Sequence, residues 1–150
     1  MSTTAALHTL TFRLSYADTD PAGILYYGAW FPWMERMQSE WFYLNGLRQD
    51  RLAEEHGFWS VTCRTECEYL VPVGLFEEIR AELRLGRIGT RSFDMQHDLR
   101  RTSDDVLVGR GLIRIVTVTP EGDSTPIPLL LKEHLEAWAR GEKVDLPRAG

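Results

Sequence analysis

Four groups of side chains in this sequence have types and spacings that could do chemistry. The first is the run Asp18-Thr19-Asp20-Pro21-Ala22-Gly23. A carboxylate on a loop can act as a nucleophile or as a general base toward a water. Gly23 allows a ligand to approach the backbone closely. A helix beginning just beyond the loop would aim free N–H groups at a carbonyl and hold a developing oxyanion. The same residues also read as an ordinary Asp-rich turn capping a helix. The second group is His8, His56, His97 and His134. None lies near another or near an acid in a ligand spacing. Only His97 falls on an apolar strand face, where a hydrogen-bonded core histidine is expected. A serine or cysteine nucleophile is the third possibility, but no G-x-S-x-G occurs and neither Cys63 nor Cys67 has a local histidine. The fourth is the series Arg84, Arg87, Arg91, Arg100, Arg101 and Arg110, which brackets a turn at 86–90 and the next hairpin. Such a cluster binds phosphates or forms a solvated strand surface.

These groups need elements to position them. Leu10, Phe12, Leu14 and Tyr16 alternate with polar residues and predict a strand over 9–16. Residues 26–43 hold half of the chain's aromatic side chains. Within them Trp30, Met34, Met37, Trp41 and Leu44 form a helical stripe, widened by Phe31, Trp33 and Phe42. Pro32 must lie in or just after the first turn, which places the helix start near Gly28. Asn45-Gly46 stops it. A short helix over Gln49 to His56 should end at Gly57. The period then switches to two. Val61, Cys63, Thr65, Cys67 and Tyr69 share one face of a strand, and two further strands carry Ile79 to Leu85 and Phe93 to Leu99 on their apolar faces. A last strand covers Val106 to Thr119. Pro128 opens a closing helix packed through Leu131, Leu135 and Trp138. The economical packing is an α+β fold, a five-stranded antiparallel sheet curved around one long helix. Long strands with open edges point to dimerisation through a shared sheet.

The 150 residues make one domain over 1–140, followed by a polar tail over 141–150. A net charge of −5 argues against non-specific nucleic-acid binding, which depends on phosphate neutralisation. No apolar run reaches the ~18–20 residues of a membrane span, and Met1 to Thr11 lacks the pattern of a signal peptide. Cys63 and Cys67 on one strand would be roughly 13 Å apart, beyond the ~7 Å limit for a disulfide. The expected location is the cytoplasm.

The run from Tyr16 to Tyr27, Tyr-Ala-Asp-Thr-Asp-Pro-Ala-Gly-Ile-Leu-Tyr-Tyr, precedes an aromatic helix carrying Trp33 and Glu35. Together they resemble the signature of hotdog-fold acyl-CoA thioesterases, nearest to the 4-hydroxybenzoyl-CoA thioesterase family. Glu68-Tyr69-Leu70-Val71-Pro72 is similar to that family's second strand and its exit. The likeness in element order covers roughly residues 8–120, and the tight motif covers 16–35. It implies that Asp20 is catalytic, that Asp18 is structural and receives loop N–H groups, and that the Tyr27 amide polarises the thioester carbonyl. Gly23 and Tyr26 become expected substrate contacts, and Arg87 and Arg91 map to coenzyme A phosphates. Many close members carry a histidine where this chain has Tyr27, so imidazole assistance is absent while a backbone role survives. The His-Gly-Gly motif of another hotdog subclass is missing. So is the loop histidine of dehydratase relatives. The resemblance implies a thioesterase without metal or redox cofactor, and the sheet edges with the excess aromatic surface predict a homodimer or homotetramer with each site lined by both chains. It would act on acyl-CoA or on an acyl carrier protein thioester, as in release of a polyketide or fatty acyl chain. A non-catalytic acyl-thioester binding protein on the same fold is the alternative from another class.

Overall fold

A computed structural model of the chain describes residues 6–142. The tail expected over 141–150 therefore lies, from residue 143, outside the described residues. Strand β1 (His8–Arg13) is followed by a 3-10 turn at Tyr16–Asp18, the long helix α1 (Trp30–Leu44) and the short helix α2 (Leu52–His56). Four strands then run consecutively: β2 (Trp59–Tyr69), β3 (Glu78–Ile88), β4 (Ser92–Arg101) and β5 (Leu107–Val118). Helix α3 (Leu129–Ala139) closes the fold. The strands form one antiparallel sheet in the order β1-β3-β4-β5-β2.

Helix α1 lies across the inner face of this sheet because two strand positions have no side chain. A Cβ on Gly109 would come within 3.1 Å of the Trp30 indole nitrogen, and one on Gly111 would overlap the Met34 sulfur. Glycine there lets a bulky helix seat directly on the backbone. Trp30, Met34, Met37, Trp41 and Phe42 are buried against Leu83, Phe93, Met95, Leu99 and Ile115. Phe12 stacks on Trp33 with centroids 3.7 Å apart, which fastens β1 to the first turn of the helix. Leu131, Leu135 and Trp138 of α3 are buried as their spacing predicted, and Gly57 ends α2 in the left-handed conformation at φ +77°.

Four expectations fail locally. The first strand stops at Arg13, so Tyr16 sits in the 3-10 turn and is 77% exposed. Helix α1 begins at Trp30 rather than near Gly28, after a turn closed by the Ala29 N–H donating to the Tyr26 carbonyl at 3.0 Å. Leu44, placed in the apolar stripe, lies exposed at the last residue of the helix. The fourth failure is in β2. Its register against β5 shifts between Thr62 and Arg64, leaving Cys63 as an extra residue. A bulge flips the face of everything beyond it. Thr65, Cys67 and Tyr69 lie opposite inner-face residues of β5, while Trp59 and Val61 lie opposite outer-face ones. The clean alternation from Val61 to Tyr69 does not exist. Almost all of β2 is exposed, unlike β3, β4 and β5.

Candidate active site

The two loop acids sit two residues apart and do different things. Ser15 caps the 3-10 turn, and the Asp18 carboxylate answers it in a capping box. One Asp18 oxygen accepts the Ser15 N–H at 2.9 Å and the Ser15 hydroxyl at 3.3 Å. The other accepts the Trp33 indole N–H at 3.0 Å. Asp18 thus ties the loop to its own start and to α1. The resemblance implied such loop N–H contacts for Asp18.

Asp20 is exposed. Its backbone N–H donates to the Ile24 carbonyl at 3.0 Å, and its carbonyl accepts the Gly23 N–H at 2.9 Å. That tight turn requires a left-handed residue, which Gly23 supplies at φ +78°. No atom lies within 4 Å of a Cβ built on Gly23, so conformation rather than space demands glycine here. One carboxylate oxygen, Oδ1, accepts the Ala22 N–H at 2.8 Å. Among the described residues the other, Oδ2, has no hydrogen-bond partner, so one oxygen orients the group and the other stays open to solvent.

Tyr26 and Tyr27 follow, 37% and 81% exposed. The Tyr26 N–H donates to the Asp18 carbonyl at 3.2 Å, and the Leu25 N–H donates to the Val73 carbonyl at 2.8 Å, so the loop is stitched on both sides. Tyr27 occupies the turn that leads into α1, and its N–H has no acceptor among the described residues. Its carbonyl accepts a short hydrogen bond from the Tyr69 hydroxyl at the end of β2. Desolvation, with Cys67 alongside, raises that hydroxyl to about 12, so it remains a donor at ordinary pH. Tyr69 therefore fixes the peptide before Gly28. Sequence reasoning marked the Glu68-to-Pro72 run only as a resemblance and did not give Tyr69 this part. Its signal was the aromatic residue just before a Pro-containing exit.

The two arginines expected at phosphates are elsewhere. Asp20 and Tyr27 sit where β1 and β2 end and β3 begins, since Ile24 bridges to Gly74 and Tyr69 bonds Tyr27. Arg87 and Arg91 sit at the far end of β3 and its turn into β4. The eleven residues of β3, from Glu78 to Ile88, separate the two ends by roughly 33 Å. Within one chain the Asp loop and these arginines do not share a site. Arg87 donates to the Ser92 hydroxyl at 2.6 Å, and Arg91 donates to the Ser124 hydroxyl at 3.0 Å. Arg84 lies on the outer sheet face, 3.2 Å from Asp98.

His97 is buried on the inner face, as expected, but is not hydrogen-bonded. Neither ring nitrogen has a partner among the described residues. Burial pushes it down to about 3, so it is neutral at ordinary pH.

Residues 14–139 match the family model of the thioesterase-like superfamily. The chain belongs to that superfamily. No curated protein matches it. Among solved structures, this thioesterase is similar to a 1,4-dihydroxy-2-naphthoyl-CoA thioesterase from Synechocystis, with 17% identity and a TM-score of 0.75 over 85% of this chain and 94% of that one. It is similar to a 4-hydroxybenzoyl-CoA thioesterase variant bound to 4-hydroxybenzoyl-CoA, with 20% identity and a TM-score of 0.73 over 85% and 96% of the two chains. A Pseudomonas aeruginosa protein described as a thioesterase matches at 26% identity, with a TM-score of 0.71 over 87% and 98%. The fold of this thioesterase is the hotdog fold, and its class is thioester hydrolase.

Proposed function

We propose that this thioesterase hydrolyses an acyl-CoA thioester with Asp20 as the reacting carboxylate and the Tyr27 N–H as the oxyanion donor. The observation that carries the reading is the division of labour in the loop. Asp18 spends its oxygens on structure, while Asp20 keeps Oδ2 open beside a turn whose N–H has no acceptor among the described residues. The Tyr27 N–H stabilises charge on the thioester oxygen as the carbonyl carbon becomes tetrahedral. Oδ2 either attacks that carbon or takes a proton from an attacking water. In both routes the carbon–sulfur bond breaks, the thiolate leaves and takes up a proton, and water supplies the hydroxyl of the free acid. Gly23 and Tyr26 line the approach to the carbonyl.

The acyl end meets an aromatic surface. Tyr16 and Phe76 pack edge to face at 6.0 Å, both mostly exposed, and Ile24 and Tyr27 are exposed along the same loop. An aryl acyl group suits such a surface. The aromatic acyl-CoA substrates named for the similar structures make these the first compounds to test. At the thiol end, Arg87 and Arg91 bind the coenzyme A phosphates from a neighbouring copy in the oligomer, since within one chain the length of β3 separates them from Asp20. The protein works in the cytoplasm as a homodimer or homotetramer.

Free thiol release, measured over a panel of aryl and alkyl acyl-CoA thioesters and acylated carrier proteins, tests the reading. Hydrolysis of an acyl-CoA that is lost in Asp20→Asn supports it. Hydrolysis only on a carrier protein moves the substrate class, and tight binding without thiol release makes the protein a binding module.

A further inference from the structure

Phe76 holds a backbone conformation that its side chain opposes. Its φ is +67°, in the left-handed region. Among the described residues, the others with a left-handed φ are glycines and Asp105. Glycine adopts the conformation freely, and a short Asp side chain tolerates it. A phenylalanine does not, because its Cβ crowds the following carbonyl. Burial does not compensate, since Phe76 is 55% exposed. We infer that Phe76 is a specificity-determining residue, whose strained backbone presents its ring, paired with that of Tyr16, to an aromatic acyl group beside the Asp20 loop. The substrate half of this inference rests on the proposed thioesterase reading; the strain half does not.

Strain of this kind persists only where the surroundings over-determine the backbone. Both peptide groups of Phe76 are fixed. Its N–H donates to the Leu14 carbonyl at 3.1 Å, and its carbonyl accepts the Arg13 guanidinium at 2.8 Å. Arg13 is held in turn by Glu78 at 3.2 Å. The Leu14 N–H donates to the Glu77 carbonyl at 3.0 Å, so the exit of β1 grips the chain on both sides of Phe76. The Glu77 N–H donates to the Gly74 carbonyl at 3.2 Å, which closes a four-residue turn, and Glu77 Oε2 accepts the Gly74 N–H at 2.7 Å. Phe76 is the third residue of that turn. A left-handed residue at this place is ordinarily Gly or Asn. An aromatic ring there sets a side-chain requirement against a backbone preference.

The same turn is bonded to the Asp loop. Gly74 bridges to Ile24, and the Leu75 N–H donates to the Gly23 carbonyl at 3.1 Å. The Ile24 carbonyl accepts the Asp20 N–H. On the other flank, Tyr16 opens the 3-10 turn that leads to Asp18, and its carbonyl accepts the Thr19 N–H at 3.3 Å. The Tyr16 and Phe76 rings meet at an interplanar angle of 72°. They join the two segments that flank Asp20 and leave most of their surface to solvent. Such a pair offers an incoming ring both an edge and a face, in the offset or edge-to-face geometry that aromatic groups prefer. An alkyl acyl group gains only buried area on the same surface. The pair therefore discriminates by acyl type.

Thermal unfolding tests the strain. Phe76→Gly and Phe76→Ala both remove the ring, so they differ only in whether a Cβ sits on a left-handed residue. At an ordinary position the glycine variant is the less stable of the two. Here Phe76→Gly is expected to melt a few degrees above Phe76→Ala. A Phe76→Ala variant that melts at or above Phe76→Gly overturns the strain. Calorimetric titration tests the specificity, with the non-hydrolysable thioethers phenacyl-CoA and acetonyl-CoA as aryl and alkyl probes. The wild-type chain should bind phenacyl-CoA more tightly than acetonyl-CoA. That preference should fall about 10-fold in Phe76→Gly, the scale of a lost aromatic pair together with its buried area. Phe76→Tyr keeps the ring and should hold the preference to within about 2-fold. No preference in the wild-type chain, a preference that survives in Phe76→Gly, or an equal loss in Phe76→Tyr overturns the specificity role. Neither measurement needs hydrolysis, so an aryl preference that depends on Phe76 in a protein whose Asp20→Asn variant keeps full activity overturns only the catalytic reading.

Discussion

The Asp loop and the inner sheet face each hold an unpartnered polar group, and the two could hardly differ more. At the loop, Asp20 Oδ2 is open at the surface, within reach of solvent. On the inner face, His97 is 1% exposed with both nitrogens unpaired, and burial costs it without any return in chemistry. An open valence is useful only where a reactant can reach it. The same contrast holds between the two loop acids, since the contacts that commit Asp18 to structure leave Asp20 free.

The sharpest way to break this contrast is to remove charge from each acid in turn. Asp20→Asn keeps the shape of the loop and is expected to lower kcat by at least ~10²-fold, the lower range for a general base, with an unchanged melting temperature. Asp18→Ala should do the reverse in kind. It strips acceptors from Ser15 and Trp33 and is expected to cost about 1–3 kcal/mol of stability in denaturant unfolding, with a smaller loss of kcat. Equal kcat losses in the two variants would sink the distinction. Tyr69→Phe removes only the hydroxyl that holds the Tyr27 carbonyl. Steady-state kinetics should show kcat reduced about 10-fold or less with KM little changed, as for an interaction made mainly in the transition state.

Arg87→Ala and Arg91→Ala should raise KM for acyl-CoA several-fold and leave kcat nearly intact. Each contact at an exposed guanidinium is worth about 1 kcal/mol or less and weakens with salt. A short thioester without the nucleotide should respond much less to the same substitutions.

The smallest effect lies in the core and has the opposite sign. His97→Leu replaces an unpaired polar ring by an apolar side chain and is expected to stabilise the fold by about 1 kcal/mol. The folded value near 3 lies below the ordinary 6.5, so the unfolded chain binds the extra proton between them. The protein therefore loses stability as pH falls from 6.5 toward 3, and His97→Leu should flatten that part of the profile. An unchanged acid profile in the variant would show that His97 finds a partner in solution.

Much of this molecule was legible in its residues. The switch from a 3–4 spacing to a period of two placed the long helix ahead of four strands, because burying one face of each element forces that periodicity. The Asp-Thr-Asp-Pro-Ala-Gly run marked the loop, because a tight turn in front of a helix needs those residue types. The Cys63 bulge was not legible. It is a relation between β2 and β5, and no pattern within β2 distinguishes Cys63 as the extra residue. Nor was the separation of Arg87 and Arg91 from Asp20, since residues near one another along a hairpin carry no record of which end of the sheet they occupy. Asp18 and Asp20 have identical side chains, and composition cannot rank them. Only the Ser15 cap and the Trp33 indole, brought to Asp18 by the folded chain, decide which carboxylate has both oxygens engaged and which one keeps an oxygen open to solvent.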